Sequence, residues 1–326
     1  MPTSHLTPYT EPPADPYHEP RRANCPWCGG KRLRTRVRSA ARGRRLAPGA
    51  YTVDRCRDCG HAFQNPRLTP EGLAFHHLAF YAGHLEGFAD RALSDRAVRR
   101  RHLAAARTVL ALAEPESWLD VGTGHARFPE TAREVFPYTS FDGLDATPRV
   151  EQALRAGRIE EAHVGDLTNP WILPRLYARY DVVSMFHHLE YTPDPRAELR
   201  AALTVLRPGG HLLLELPDPR SVFGLLLGRW WLPYGQPRHL HLLPLGNLCR
   251  ELEVLGCTIL AKDRRPAHIP YDLSAAVSLF LARVPRPLRA LLSPLVSAAS
   301  ALDHALAPVL RRTPFANAYR IIARRT

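Results

Sequence analysis

The chain has 326 residues, 45% of them hydrophobic and 23% charged, so it can bury a sizeable core and is neither wholly disordered nor a small disulfide scaffold. Its six cysteines fall as two close pairs, Cys25/Cys28 and Cys56/Cys59, with Cys249 and Cys257 apart, a spacing that points to metal in a reducing compartment. The net charge of +13 belongs to the ends: residues 1–60 hold 12 Lys/Arg against 5 Asp/Glu, residues 261–326 hold 11 against 3, and the stretch between carries 21 against 23. Only Lys31 and Lys262 are lysines; a GC-rich genome would account for the arginine content but not for its terminal placement, which suits phosphates of nucleic acid or lipid.

In chain order, residues 1–20 contain six prolines and read as a disordered tail without the apolar run of a secretory signal. Residues 21–66 hold Asn24-Cys25-Pro26-Trp27-Cys28-Gly29-Gly30 and Arg55-Cys56-Arg57-Asp58-Cys59-Gly60, with a basic strand-length stretch, Lys31 to Arg38, and turn signals at Gly43 and Pro48-Gly49 between them. The spacing C-x2-C-x27-C-x2-C predicts a zinc ribbon in which Cys25, Cys28, Cys56 and Cys59 surround one structural Zn²⁺, because each i, i+3 knuckle turns both sulfurs to one side. Cys249 and Cys257 read as buried thiols.

Residues 67–113 form a helical lid or linker on the periodicity of Leu73, Phe75, Leu78, Tyr81, Leu93, Val98, Leu103, Ala106 and Leu110, ended by Pro115. A core then occupies 114–264 plus 316–326. Strands are predicted at about 117–121, 139–144, 159–164, 181–186, 210–216, 257–263 and 318–323, and helices at about 127–136, 148–156, 170–178, 194–206 and 246–256. That alternation specifies an α/β fold, a seven-stranded, doubly wound, mostly parallel sheet. Residues 265–315 are an insertion that Pro285, Pro287, Pro294, Pro308 and Pro314 divide into several short helices. Its longest apolar stretch, Ala290 to Leu302, has 13 residues, short of the roughly 20 that a bilayer span requires. A cytoplasmic protein is expected.

Trp118-Leu119-Asp120-Val121-Gly122-Thr123-Gly124-His125-Ala126 is a strand entering a glycine turn, where bare backbone approaches a ligand closely. Arg127 stands where a dinucleotide fingerprint wants a small residue, which lowers a hydride-transfer reading. The series continues with Phe141-Asp142-Gly143-Leu144-Asp145, Gly165-Asp166-Leu167, Tyr180-Asp181-Val182-Val183-Ser184-Met185-Phe186 and Leu206-Arg207-Pro208-Gly209-Gly210-His211-Leu212.

These motifs, in this order, resemble the class I S-adenosylmethionine-dependent methyltransferases, in particular a bacterial small-molecule branch with histidine and glutamate after the fourth strand. The resemblance covers about residues 115–263 and the final strand, and Ala126 stands where the family often has Gly. It implies that Asp120, Gly122 and Gly124 surround the methionine part of the cofactor, that Asp145 holds the ribose, that Asp166 and Leu167 meet the adenine edge, and that Phe186 or His187 lines the sulfonium side. Asp120 as a helix cap and Asp142 in place of Asp145 are the alternatives. His187-His188-Leu189-Glu190-Tyr191-Thr192-Pro193-Asp194-Pro195 resembles the family's L-E-H-x-x-D-P signature with Tyr191 where His is usual, so a divalent ion there is not expected. Glu190 as a loop brace, with Asp194 or Thr192 as a helix cap, is the structural alternative.

Pro237-Arg238-His239-Leu240-His241-Leu242-Leu243 resembles the branch's P-x-H-L-x-x-F segment, and the loop from Pro217 to Pro244, with Trp230, Trp231 and Tyr234, resembles one that covers the acceptor. Phe63-Gln64-Asn65-Pro66-Arg67 and Phe80-Tyr81 resemble the ribbon and helical lid of zinc-ribbon members. Methyl transfer is an in-line displacement in which the protein chiefly aligns donor and acceptor. His188, Glu190, Tyr191 and His239 are the candidate catalytic groups should the acceptor lose a proton.

The expected acceptor is a small molecule or a saccharide- or lipid-linked intermediate. Residues 273–311, apolar with Arg283, Arg286, Arg289 and Arg311, are a candidate peripheral contact at the inner membrane face, with lid or dimer packing as the alternative. An RNA methyltransferase would use the eight Lys/Arg between Lys31 and Arg45, but no N/D-P-P-Y/F tetrapeptide follows the fourth strand. A non-catalytic partner-binding protein is the third reading.

Overall fold

The computed structural model of the chain describes residues 17–40, 50–75, 95–235 and 238–326. The expected elements around Leu78, Phe80-Tyr81 and Leu93, the turn signals at Gly43 and Pro48-Gly49, Pro237, and most of the N-terminal tail lie outside the described residues.

Two sheets organise the chain. The larger contains β4 (Ser117–Val121), β5 (Ser140–Asp145), β6 (Ala162–Val164), β7 (Tyr180–Phe186), β8 (Leu206–Pro217), β10 (Cys257–Asp263) and β11 (Ala318–Arg325) in the order β10-β11-β8-β7-β4-β5-β6. Only β11 runs against its neighbours. Alternate residues of β4 enter different cores: Leu119 and Val121 pack on one face with Leu144, Val183 and Leu214, while Trp118 packs on the other with Phe128, Phe136 and Phe141. A parallel sheet covered on both faces needs this near-continuous apolar run in its central strands. The order changes direction between β4 and β7, so their carboxyl ends open a crevice at the switch point.

The helices Arg127–Ala132, Arg149–Arg155, Pro195–Val205 and Leu245–Val254 stand near their predicted positions. Asp194 caps the third, its carboxylate accepting from the N–H groups of Arg196 (3.0 Å) and Ala197 (3.1 Å). Thr192 instead donates to Leu189 O. The helix expected over 170–178 shrinks to a 3-10 turn, Leu173–Leu176, with Pro174 near its start. In the insertion, helices span Asp272–Leu281, Arg286–Leu292 and Pro294–Leu310. The last is 17 residues long despite two prolines, because Pro294 sits at the first helical position and Pro308 in the final turn. Among the described residues no single helix is long and apolar enough to cross a membrane.

The smaller, antiparallel sheet has the order β1-β2-β3-β9, from Leu33–Ala40, Ala50–Cys56, Ala62–Gln64 and His241–Leu242. Its fourth strand belongs to the far end of the chain: Phe63 pairs with His241, and Leu240 N donates to Glu190 O at 2.7 Å. The cysteine segment is therefore sewn to the loop that follows β7. The tail expectation fails for residues 17–20, where His18 bridges to Leu68 and Glu19 pairs with Arg67 at 2.5 Å.

Candidate functional site

Gly122, Gly124 and Ala126 all adopt left-handed backbone after β4, with φ of 73°, 54° and 54°. A side chain at Gly122 would place its Cβ 2.6 Å from His188 Nδ1, so the turn approaches the loop after β7 as only glycine allows. Gly124 N–H donates to Asp145 Oδ2 at 2.9 Å, and Thr147 N–H donates to Asp145 Oδ1 at 2.8 Å. Asp145 thus sits at the crevice rim, half-buried; its Oδ1 also accepts from Thr147 Oγ1 at 2.5 Å, so Oδ2 is the oxygen that keeps a lone pair for a hydroxyl. Asp142 is engaged elsewhere: it accepts from Tyr180 OH (2.8 Å) and lies 3.2 Å from Arg179, which also pairs with Glu161 and so supplies the counter-charge of the Asp142, Glu161 and His163 cluster.

Asp120 is buried beneath the glycine turn, accepting from Ser184 Oγ at 2.5 Å, while Ser184 Oγ accepts from Trp118 Nε1 at 2.9 Å. Burial pushes its carboxyl up to about 6 against the pull of that hydrogen bond. Its contacts are those of a strand residue; the helix at Arg127–Ala132 has no side-chain cap. Asp166 is raised by burial and by the nearby Glu198. Leu167 is wholly buried, its side chain packed in the core beside Asp166. Phe186 packs against Phe128, ring centroids 4.5 Å apart.

The loop after β7 concentrates ionisable groups. His187, at φ 51°, lies 3.3 Å from Glu190 and 3.6 Å from Glu215. Burial opposes its charge, yet the two carboxylates prevail and hold its imidazolium up to about 9. His188 Nε2 meets Glu198 at 2.9 Å, which outweighs burial and raises it. Tyr191 OH and His239 Nε2 are 2.9 Å apart, and His239 Nδ1 donates to Pro233 O at 2.8 Å. Burial drives His239 down to about 4, so the ring is neutral and its Nε2 accepts the tyrosine proton. His241 turns to the small sheet, its Nδ1 3.2 Å from His61 Nε2.

Glu215, Arg320 and Arg101 complete this region, and sequence reasoning passed over all three. Arg320 donates to Glu215 at 2.6 Å and Arg101 lies 3.2 Å from it. Burial opposes ionisation of Glu215, but the two guanidiniums hold it well below the usual carboxylate range. A lone acid within Leu212-Leu213-Leu214-Glu215-Leu216 and a lone base within Tyr319-Arg320-Ile321 were the available signals. Glu190 Oε2 is buried without a hydrogen-bond partner, as is His187 Nε2.

The sulfurs of Cys25, Cys28, Cys56 and Cys59 lie within 4.8 Å of one another, with Cys25–Cys59 at 3.8 Å and Cys28–Cys56 at 3.6 Å. A tetrahedral zinc with bonds of about 2.3 Å separates its sulfurs by about 3.8 Å, so the set fits that ion. Each knuckle closes on a left-handed glycine, Gly29 at φ 73° and Gly60 at φ 77°. Burial pushes the Cys25 thiol far up and that of Cys59 to about 11, a cost that a dication would reverse. Cys257 is buried and Cys249 half-buried, and burial raises both.

A family model described as a methyltransferase domain matches residues 91–262, more than half of the chain. The chain belongs to the methyltransferase domain family. Together with the seven-stranded sheet, this makes it a class I S-adenosylmethionine-dependent methyltransferase. The methyltransferase is 32% identical over 96 residues to the ubiquinone biosynthesis O-methyltransferase of Aeromonas salmonicida, covering 28% of this chain and 40% of that protein. It is 24% identical over 161 residues to the malonyl-[acyl-carrier protein] O-methyltransferase of Hahella chejuensis, covering 49% and 57%. A solved 1,6-didemethyltoxoflavin-N1-methyltransferase of Burkholderia thailandensis, with that compound and S-adenosylhomocysteine bound, is similar at 16% identity and TM-score 0.48 over 85% of this chain and 96% of that one. The methyltransferase spans 29–57% of the length of the curated relatives it matches.

Proposed function

We propose that the methyltransferase methylates a hydroxyl oxygen of a small-molecule, saccharide or lipid-linked acceptor. The observation that carries the oxygen is the Tyr191–His239 pair, 2.9 Å apart, in which a neutral histidine is oriented by Pro233 O to accept the tyrosine's hydrogen bond and so leave Tyr191 Oη as an acceptor for a hydroxyl. S-adenosylmethionine supplies, when bound, a methyl group on a sulfonium sulfur. The backbone of Gly122 and Gly124 and the acids Asp120, Asp145 and Asp166 would hold it along the crevice, with Phe186 and His187 beside the sulfonium. Tyr191 Oη, its own proton directed to His239 Nε2, accepts a hydrogen bond from the acceptor hydroxyl and turns an oxygen lone pair toward the methyl group, the proton leaving as the new bond forms. Glu190 Oε2 gains a hydrogen bond from a second donor of the acceptor and fixes its direction. The His188–Glu198 pair shapes the glycine turn from behind. The relatives named O-methyltransferases support this choice of atom.

We further propose that Cys25, Cys28, Cys56 and Cys59 bind a structural zinc. Four protein ligands leave no open position, so the ion would order residues 21–66 and take no part in the chemistry. In this reading the chain divides into that ribbon, a linker over 67–113, the core of 114–264 with 316–326, and the helical insertion of 265–315.

Labelled cofactor incubated with extract fractions tests the function. Label is expected in small-molecule or lipid material, and Tyr191→Phe should lower turnover by about 10²–10⁴ while calorimetric cofactor affinity stays unchanged. Label entering RNA, or no cofactor binding at all, overturns the proposal.

A further inference from the structure

We propose that the insertion helices and the adjoining loop form a docking face for an anionic lipid bilayer. The helix Pro294–Leu310 is exposed along most of its length, with Leu295 and Leu302 each 50% and Val309 65% exposed. A helix that lies in water presents a charged or polar stripe. This one has a single formal charge, Asp303, and that side chain is 2% exposed, accepting from the N–H groups of Leu273 and Ser274 at 2.9 Å each. The two preceding helices continue the apolar surface through Phe280 and Leu291, 52% and 74% exposed.

The charge around this surface has one sign. Arg283, Arg286 and Arg289 precede the long helix and Arg311 and Arg312 follow it, all exposed. From residue 272 to the end the only acids are Asp272 and Asp303, both buried. A second copy on a two-fold axis would bring these arginines against one another with no exposed acid to match them, whereas anionic headgroups match every one. Seventeen residues extend about 25 Å, suited to lying in the plane of the interface with arginines at each end. The break between Arg286–Leu292 and Pro294–Leu310, bent by 41°, lets both segments follow that plane.

The face reaches the ribbon through aromatic and basic contacts. Trp230 meets Phe280 edge-on at 5.7 Å, and the guanidiniums of Arg229 and Arg283 lie over its ring at 5.2 and 4.6 Å, an amphipathic grouping fit for the headgroup level. Leu226 beside it is 75% exposed. Arg36 donates to the carbonyls of Gly224 and Leu225, which joins this loop to a cavity of about 250 Å³ lined by Arg34, Arg36, Arg55 and Arg57 and by no acid. Among the described residues Arg34, Arg55 and Arg57 form no ion pair, so the cavity is the place where a lipid phosphate would enter.

Sedimentation with vesicles tests the inference on the full chain, and needs neither cofactor nor acceptor, so its failure is distinct from failure of the methyl-transfer reading. Pelleting is expected with vesicles of phosphatidylcholine plus phosphatidylglycerol, weakening as salt rises, and not with phosphatidylcholine alone. Leu291→Glu with Leu302→Glu, both at exposed positions, should weaken it at least tenfold, and Arg34→Glu with Arg57→Glu should do so without changing the melting curve. Failure of the parent protein to pellet with the anionic vesicles overturns the proposal. So does undiminished pelleting of the leucine variant, or light scattering that shows a dimer which the leucine variant dissolves.

Discussion

Asp120→Asn should make the cofactor-free methyltransferase more stable while weakening its grip on S-adenosylmethionine. Asp120 is 3% exposed, and burial raises its carboxyl from 3.8 to about 6. The folded state therefore keeps the proton longer than the unfolded chain does. The stabilising contribution of this group is fully present below pH 3.8 and is lost as pH rises through 6, so at pH 7 and above the ionised side chain is a liability. A shift of about two pKa units corresponds to about 3 kcal/mol at ~1.4 kcal/mol per unit. Asparagine keeps an oxygen for Ser184 Oγ and carries no charge. Urea unfolding of both proteins from pH 4 to pH 8 should show a gain of up to about 3 kcal/mol at pH 7–8, shrinking through pH 6 and absent near pH 4. Calorimetry at pH 8 should show the variant binding the cofactor at least tenfold more weakly. A difference in stability that does not change with pH, or a variant less stable than the parent at pH 8, would refute the reasoning.

The sheet was legible because each of its strands is a short apolar run with its own turn signal, and the central strands are buried on both faces. The rim acid was legible for a related reason: Asp145 follows the last apolar residue of β5, where a strand meets the crevice, whereas Asp142 lies within the strand and is met by Tyr180. What could not be read depended on distant parts of the chain meeting. Glu215 and Arg320 are 105 residues apart and touch because β11 inserts beside β8, and no local pattern announces that register. The same is true of Phe63 and His241, paired through a two-residue strand too short to leave a periodicity. Leu167, after Gly165-Asp166, sends its apolar side chain to the core and leaves its backbone toward the crevice end of the sheet, a division that residue type alone does not announce.

Gly122→Ala should strain a backbone held at φ 73° and drive a Cβ into His188, displacing it from Glu198; cofactor affinity is expected to fall at least tenfold by calorimetry, and an unchanged affinity would count against the close approach. Chelation of metal should lower the melting temperature and expose β1 to β3 to proteolysis, because four clustered thiols, Cys25 and Cys56 among them buried, would lose their counter-charge; a melt indifferent to chelator would refute the zinc reading. Glu215→Gln removes the charge that two guanidiniums and His187 share inside the protein. Arg320 is 2% exposed and has no water to turn to, so the loss should be about 3–5 kcal/mol in urea unfolding. If the cost is an uncompensated buried cation and not a lost attraction, removing that cation as well must restore stability. The double variant Glu215→Gln/Arg320→Met should therefore be more stable than Glu215→Gln alone by about 2 kcal/mol, since a buried ion pair is worth little beside well-packed apolar side chains. A double variant as unstable as the sum of its two single changes would show instead that each charge serves a separate partner, with Arg101 and His187 sufficient to hold Glu215 without Arg320.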